Sequence, residues 1–111
     1  MYLYLELWNA RDAWLKLSEG ERKAYFEKVS GTIADLLESG SEALAFALND
    51  DDTDRRAGYE YLALWRMPDR ATAVEFEKRL DKLGWYDLFD QVNMRGKEIT
   101  AEVSLEHMLG R

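Results

Sequence analysis

The chain has 111 residues, with 47% hydrophobic and 33% charged side chains, which suffices for one compact domain over residues 1–111 and is too short for two. Its 22 acidic against 15 basic residues give a net charge of -7, which disfavours a nucleic-acid backbone or an acidic membrane as partner. With no cysteine and one histidine, disulfides, thiolate nucleophiles and the common metal sites are excluded or hard to build. No apolar run approaches the roughly 20 residues of a membrane span, and strand-like residues begin at Tyr2 without a secretory leader pattern, so a cytoplasmic location is expected.

From Tyr2 to Trp8 the residues alternate, Leu3, Leu5 and Leu7 on one face and Tyr2, Tyr4, Glu6 and Trp8 on the other, the period of a strand. Ser18-Glu19-Gly20-Glu21 has capping-box spacing, and Phe26, Val29, Ile33, Leu36 and Leu37 recur at helical intervals up to Gly40, predicting a helix over 19–38. Ala43 to Leu48 and Tyr59 to Met67 read as two strands joined by the polar, turn-forming stretch 49–58. Pro68 ends the second of them. Asp69 then caps a helix whose stripe is Ala73, Phe76, Leu80 and Leu83 before Gly84. Trp85 to Phe89 reads as an aromatic turn, Asn93-Met94-Arg95-Gly96 as a second turn, and the alternating segment Ile99 to Leu105 as the last strand.

The order β-α-β-β-α-β predicts an α+β, ferredoxin-like domain: a four-stranded antiparallel sheet with two helices on one face. Two helices cover one face, so the other must be covered from outside. The leucine face is expected under the helices. The face with Tyr2, Tyr4, Glu6 and Trp8 from the first strand and Tyr59, Tyr61, Ala63 and Trp65 from the third is then too apolar to stand free. The expected register pairs Trp8 with Tyr59, Glu6 with Tyr61, Tyr4 with Ala63 and Tyr2 with Trp65.

With these elements, the aromatic interior, the Trp65-Arg66-Met67-Pro68-Asp69 strand exit, the Phe76 helix and the Gly84-Trp85-Tyr86-Asp87-Leu88-Phe89 turn, nearly the whole chain resembles the dimeric α/β-barrel superfamily. Members include antibiotic-biosynthesis-monooxygenase-like, EthD-like and isomerase-like domains, and the chain is most similar to small uncharacterised single-domain ones. The resemblance implies a homodimeric barrel formed by two sheets packed face to face and cofactor-free chemistry on a small aromatic or apolar ligand.

Glu6 is the leading candidate for chemistry, because its parity sets a carboxylate among aromatic side chains, where desolvation favours the neutral form and suits an acid or base. The plain alternative is a carboxylate satisfied by a tyrosine hydroxyl. Tyr61, or Tyr59, is the expected hydrogen-bond donor, and Tyr4, Trp8, Tyr59 and Trp65 are the expected ligand walls. The same aromatics suit equally a solid interface in a non-catalytic, partner-binding dimer. Asn9 and Arg11 form an expected polar rim, where Arg11 either grips a ligand carboxylate or pairs with a surface aspartate. His107, placed at the end of the last strand, reads more readily as a terminal residue than as a catalyst. The run Asp50-Asp51-Asp52-Thr53-Asp54 lacks the glycine and glutamate of a calcium loop, having Arg55 and Tyr61 there, and reads as a solvated turn. No phosphate loop, nucleophile elbow, zinc-protease motif or dinucleotide fingerprint occurs, and neither metal nor cofactor is expected.

Overall fold

A computed structural model describes residues 1–111. The first strand, β1 (Tyr2–Ala10), follows the predicted alternation. A helical turn without a sequence forewarning, α1 (Asp12–Leu15), comes next and buries Trp14 against Tyr25, Phe26 and Phe89. The capping box then starts α2 (Glu19–Glu38): Ser18 Oγ accepts the Glu21 amide at 3.1 Å, and Glu21 Oε1 accepts the Ser18 amide at 2.9 Å. At its far end Gly40 takes φ +95°, and the Gly40 and Ser41 amides donate to the Leu37 and Leu36 carbonyls, the pairing that closes a helix through a left-handed residue.

The edge strand β2 (Glu42–Leu48) and its neighbour β3 (Tyr61–Met67) are joined by a loop over 49–60, which Asn49 ties by donating to the Ala57 and Tyr59 carbonyls. Tyr59, expected within the strand, therefore lies in the loop. In α3 (Arg70–Lys82), Asp69 accepts the Thr72 amide at 2.8 Å, as its capping role requires. Gly84, at φ +76°, turns the chain into α4 (Trp85–Leu88), the predicted aromatic turn.

The end of the chain departs from expectation. The last strand is β4 (Phe89–Lys97), and it contains the residues that read as a turn. The segment Ile99 to Leu105, read as a strand, instead runs into α5 (Ala101–Leu109), with Thr100 Oγ1 accepting the Val103 amide. Ala101, Leu105, Met108 and Leu109 also have helical spacing, and a hydroxyl cap decides in favour of the helix. In β4 the inward positions Gln91, Asn93 and Arg95 are polar, which mutes the alternation that marks a strand.

The sheet order is β2-β3-β1-β4, antiparallel throughout, the ferredoxin-like arrangement. The β1–β3 register pairs Trp8 with Tyr61, Glu6 with Ala63, Tyr4 with Trp65 and Tyr2 with Met67, shifted by two residues from the expected one. A shift of two preserves which residues share a face.

The larger correction concerns which face the helices take. They cover the aromatic face, not the leucine face: Tyr4, Ala63, Trp65 and Met67 are buried beneath Val29 and Leu36 of α2 and Ala73, Phe76 and Leu80 of α3. The aromatic set is therefore the core of one chain and not a subunit interface. Bulky rings interdigitate with helix side chains to fill that layer. No helix of the chain covers the leucine face. Leu3, Leu5, Leu7, Leu62 and Leu64 thus share the open face with Ala45, Ala47, Val92 and Met94 by register. No helix is long and apolar enough to cross a membrane.

Candidate functional site

Glu6 lies mid-strand in β1, between Ala63 of β3 and Asn93 of β4, and its alternation turns it toward the helices. It is 7% exposed. With Trp8, Phe46 and Trp65 from the sheet, Val29 and Ile33 from α2, Phe76 and Leu80 from α3, and Trp85 from α4, it lines a cavity of about 150 Å³. Glu6 is the only charged lining residue. Trp65 Nε1 donates to its Oε2 across 3.5 Å, a long hydrogen bond. Burial pushes the Glu6 carboxyl up to about 7, against the smaller opposing pull of hydrogen bonds from Trp65 and Gln91. The carboxyl accordingly exchanges its proton near neutrality, and the cavity has about the size that takes a single benzene ring.

The β4 wall supplies the polar part. Trp85 Nε1 donates to Gln91 Oε1 at 2.7 Å, and Gln91 Nε2 donates to Asn93 Oδ1 at 2.7 Å. Burial raises the Tyr86 hydroxyl, partly offset by a hydrogen bond with Asn93, and the Glu6 charge adds to the rise. Toward the other end Tyr4 donates to Glu77 Oε2 at 2.9 Å, where Arg95 Nε also donates at 3.1 Å. Gln91 and Asn93 escaped the sequence reading because Asn93 to Gly96 was taken for a turn, and Tyr86 because it was read only as part of the aromatic turn. The available signal was the alternation of Val92 and Met94 with the polar residues Gln91, Asn93 and Arg95.

Of the expected site residues, Glu6, Trp8 and Trp65 converge on the cavity, while Tyr4 lies under Phe76 with its hydroxyl turned to Glu77. Tyr61 stacks on Trp8 at 5.6 Å and lines a neighbouring apolar cleft of about 340 Å³ with Phe46 and Leu48. Tyr59, Asn9 and Arg11 stand apart. Asn9 clamps the β2–β3 loop, donating to the Gly58 carbonyl and accepting the Glu60 amide. Arg11 meets the Tyr86 carbonyl at 3.1 Å and Asp90 at 3.8 Å, so it lies by β4 and not by the end of β2. His107 is an exposed residue of α5. No three histidine, aspartate or glutamate side chains converge as metal ligands. A larger groove, about 350 Å³, runs between α2 and α3, but it is open, and its Arg79 and Asp35 already pair at 2.8 Å.

Fold and cavity together define a small ferredoxin-like α+β protein with an aromatic pocket between sheet and helices, closed on one buried carboxyl. Residues 1–110 match the model described as "Family of unknown function (DUF6616)", and the chain belongs to that family. No curated protein sequence matches it. Among solved structures it is similar to the crystal structure of At3g17210 from Arabidopsis thaliana, at 12% identity and a TM-score of 0.57 over 91% of this chain and 98% of that one. The solution structure of the same protein matches at 12% identity and a TM-score of 0.53, over 90% of this chain and 89% of that one. HapK from Hahella chejuensis is more distant, at 13% identity and a TM-score of 0.44 over 91% and 95%. The two At3g17210 likenesses bear on the fold alone.

Proposed function

We propose that the protein binds a small, flat, mostly apolar molecule bearing a carbonyl or phenol in the cavity beneath α2 and α3, and that Glu6 exchanges a proton with it. The observation that carries this reading is a buried carboxyl, titrating near neutrality, as the sole charge on an aromatic cavity of ring size. Glu6 is the acid and base. The Trp65 indole orients its carboxyl, Trp8 and Trp85 are walls, and Tyr61 backs Trp8 from the outer cleft. An isomerase-like proton transfer at carbon next to a carbonyl needs nothing beyond this set, because the proton leaves carbon for the carboxylate and returns to oxygen or carbon. The protein works as a homodimer, with the open leucine faces of two copies packed together.

The test is a titration of tryptophan fluorescence with simple alkylphenols and aryl ketones, since three of the four tryptophans line the cavity, followed by deuterium exchange at the α-carbon of acetophenone. Saturable quenching, with exchange lost about 100-fold or more in Glu6→Gln, is the expected result. Binding with exchange unaffected by that substitution would leave a carrier and remove the catalytic role. Absence of binding by every probe would sink the pocket reading.

A further inference from the structure

The helix α5 buries none of its residues: Leu105, Met108 and Leu109 are 58%, 59% and 87% exposed. With Ala101 they share one flank of the helix, about 100° wide, while Glu102, Ser104, Glu106 and His107 occupy the rest together with the lone Val103. The radius of gyration is 15.9 Å, against about 13 Å for a compact chain of this length, and the long axis is 51 Å. An isolated nine-residue helix is marginal in water, so an uncovered amphipathic one needs a surface to lie on.

Its root points to which surface. The Glu98 amide extends the β1–β4 pairing by donating to the Met1 carbonyl, and its carboxylate takes Arg66 Nε at 2.7 Å. Arg66 shares the open face through its register with Leu3. The chain therefore leaves the sheet for α5 beside residues of the leucine face. Four strands about 4.8 Å apart and about seven residues long present roughly 450 Å² of projected footprint, a modest base for a standard interface, which takes approximately 800 Å² of accessible surface per partner. An arm covers surface twice in a two-fold pair, once with its own flank and once where the partner's arm lies, adding about 300 Å². A membrane is the poorer occupant, because α5 carries Glu102 and Glu106 and no lysine or arginine, and the chain has a net charge of -7.

We propose that α5 is an arm that packs its Ala101, Leu105, Met108 and Leu109 flank on a second copy of this chain, completing the leucine-face interface. This rests on the homodimer read above. The full-length chain and a Leu105→Glu/Met108→Glu double variant are compared by fluorescence-detected sedimentation, with Val103→Glu, on the opposite flank, as control. A wild-type dimer with Kd raised tenfold or more in the double variant, and within twofold in the control, is expected. A wild-type dimer that the double variant leaves unchanged overturns the arm while the sheet interface stands. A monomeric wild type overturns the dimer and the arm with it. Because the chain has no cysteine, a spin label on Leu105→Cys gives a second reading: immobilised in the dimer and mobile once Leu5→Glu separates the copies if the arm docks, equally mobile in both if it does not.

Discussion

Trp65 Nε1 and Glu6 Oε2 lie 3.5 Å apart across 59 positions of sequence, on adjacent strands and beneath two helices. The indole bond is long, and the further pull of Gln91 on that carboxylate is smaller than the effect of burial. Desolvation therefore prevails over hydrogen bonding, and the neutral acid is favoured up to about pH 7.

A carboxyl whose folded pKa exceeds its ordinary value costs stability only when ionised. The cost is absent below the unfolded value near 4.5, grows between there and about 7, and is constant above. Glu6→Gln is therefore expected to match the wild type at pH 4 and to be more stable at pH 8, by on the order of 3 kcal/mol for a shift of this size. Urea unfolding at the two pH values reads it. A difference independent of pH would show that Glu6 does not titrate in this way. On the proposed function, exchange with Glu6 as base should rise through pH 7 and level off.

Tyr4 is fully buried, and its hydroxyl donates to Glu77, which Arg95 also holds. Tyr4→Phe removes one hydrogen bond and leaves Glu77 with its arginine, for an expected loss of about 1 kcal/mol. Glu77→Ala leaves a buried hydroxyl and a guanidinium without their acceptor and should cost more, about 2–3 kcal/mol, by the shift in denaturation midpoint.

Ile33 stands half-buried on the helix side of the cavity. Ile33→Phe should fill part of the ring-sized space at a stability cost of about 1 kcal/mol, and abolish the fluorescence response to alkylphenols. Retained binding would place the ligand elsewhere.

Gly40 closes α2 at φ +95°, with Pro68 Cγ 3.6 Å from where a Cβ would stand. The space is adequate and the backbone is not, so Gly40→Ala should cost about 1–2 kcal/mol through the left-handed conformation. Thermal unfolding reads it. An unchanged midpoint would mean that this turn relaxes freely.

Leu5 is central on the open face, paired with Leu64 on one side and Met94 on the other. If the proposed homodimer packs on this face, Leu5→Glu should shift sedimentation from dimer to monomer while leaving the core under the helices intact, as read by near-ultraviolet dichroism. A dimer that survives would put the interface off the sheet.

Much of this protein is local in origin. The Ser18–Glu21 box, the Asp69 cap, Gly40 and Gly84 bound α2, α3 and α4 by short-range hydrogen bonds and backbone sterics, so they are legible from a few adjacent residues. Alternation in β1 likewise determined that Glu6 travels with Tyr4 and Trp8, whichever way the strand faces. What tertiary structure alone decided was the facing. Both parities of β1 and β3 are apolar, so periodicity divides them without ranking them, and the choice fell to the side chains that fill the space against α2 and α3. The same tertiary packing carries a register shifted by two, sets Gln91 and Asn93 beside Glu6 where polar residues hid a strand, and leaves the leucine face and α5 uncovered within the single chain, because facing and coverage depend on contacts between residues far apart in sequence.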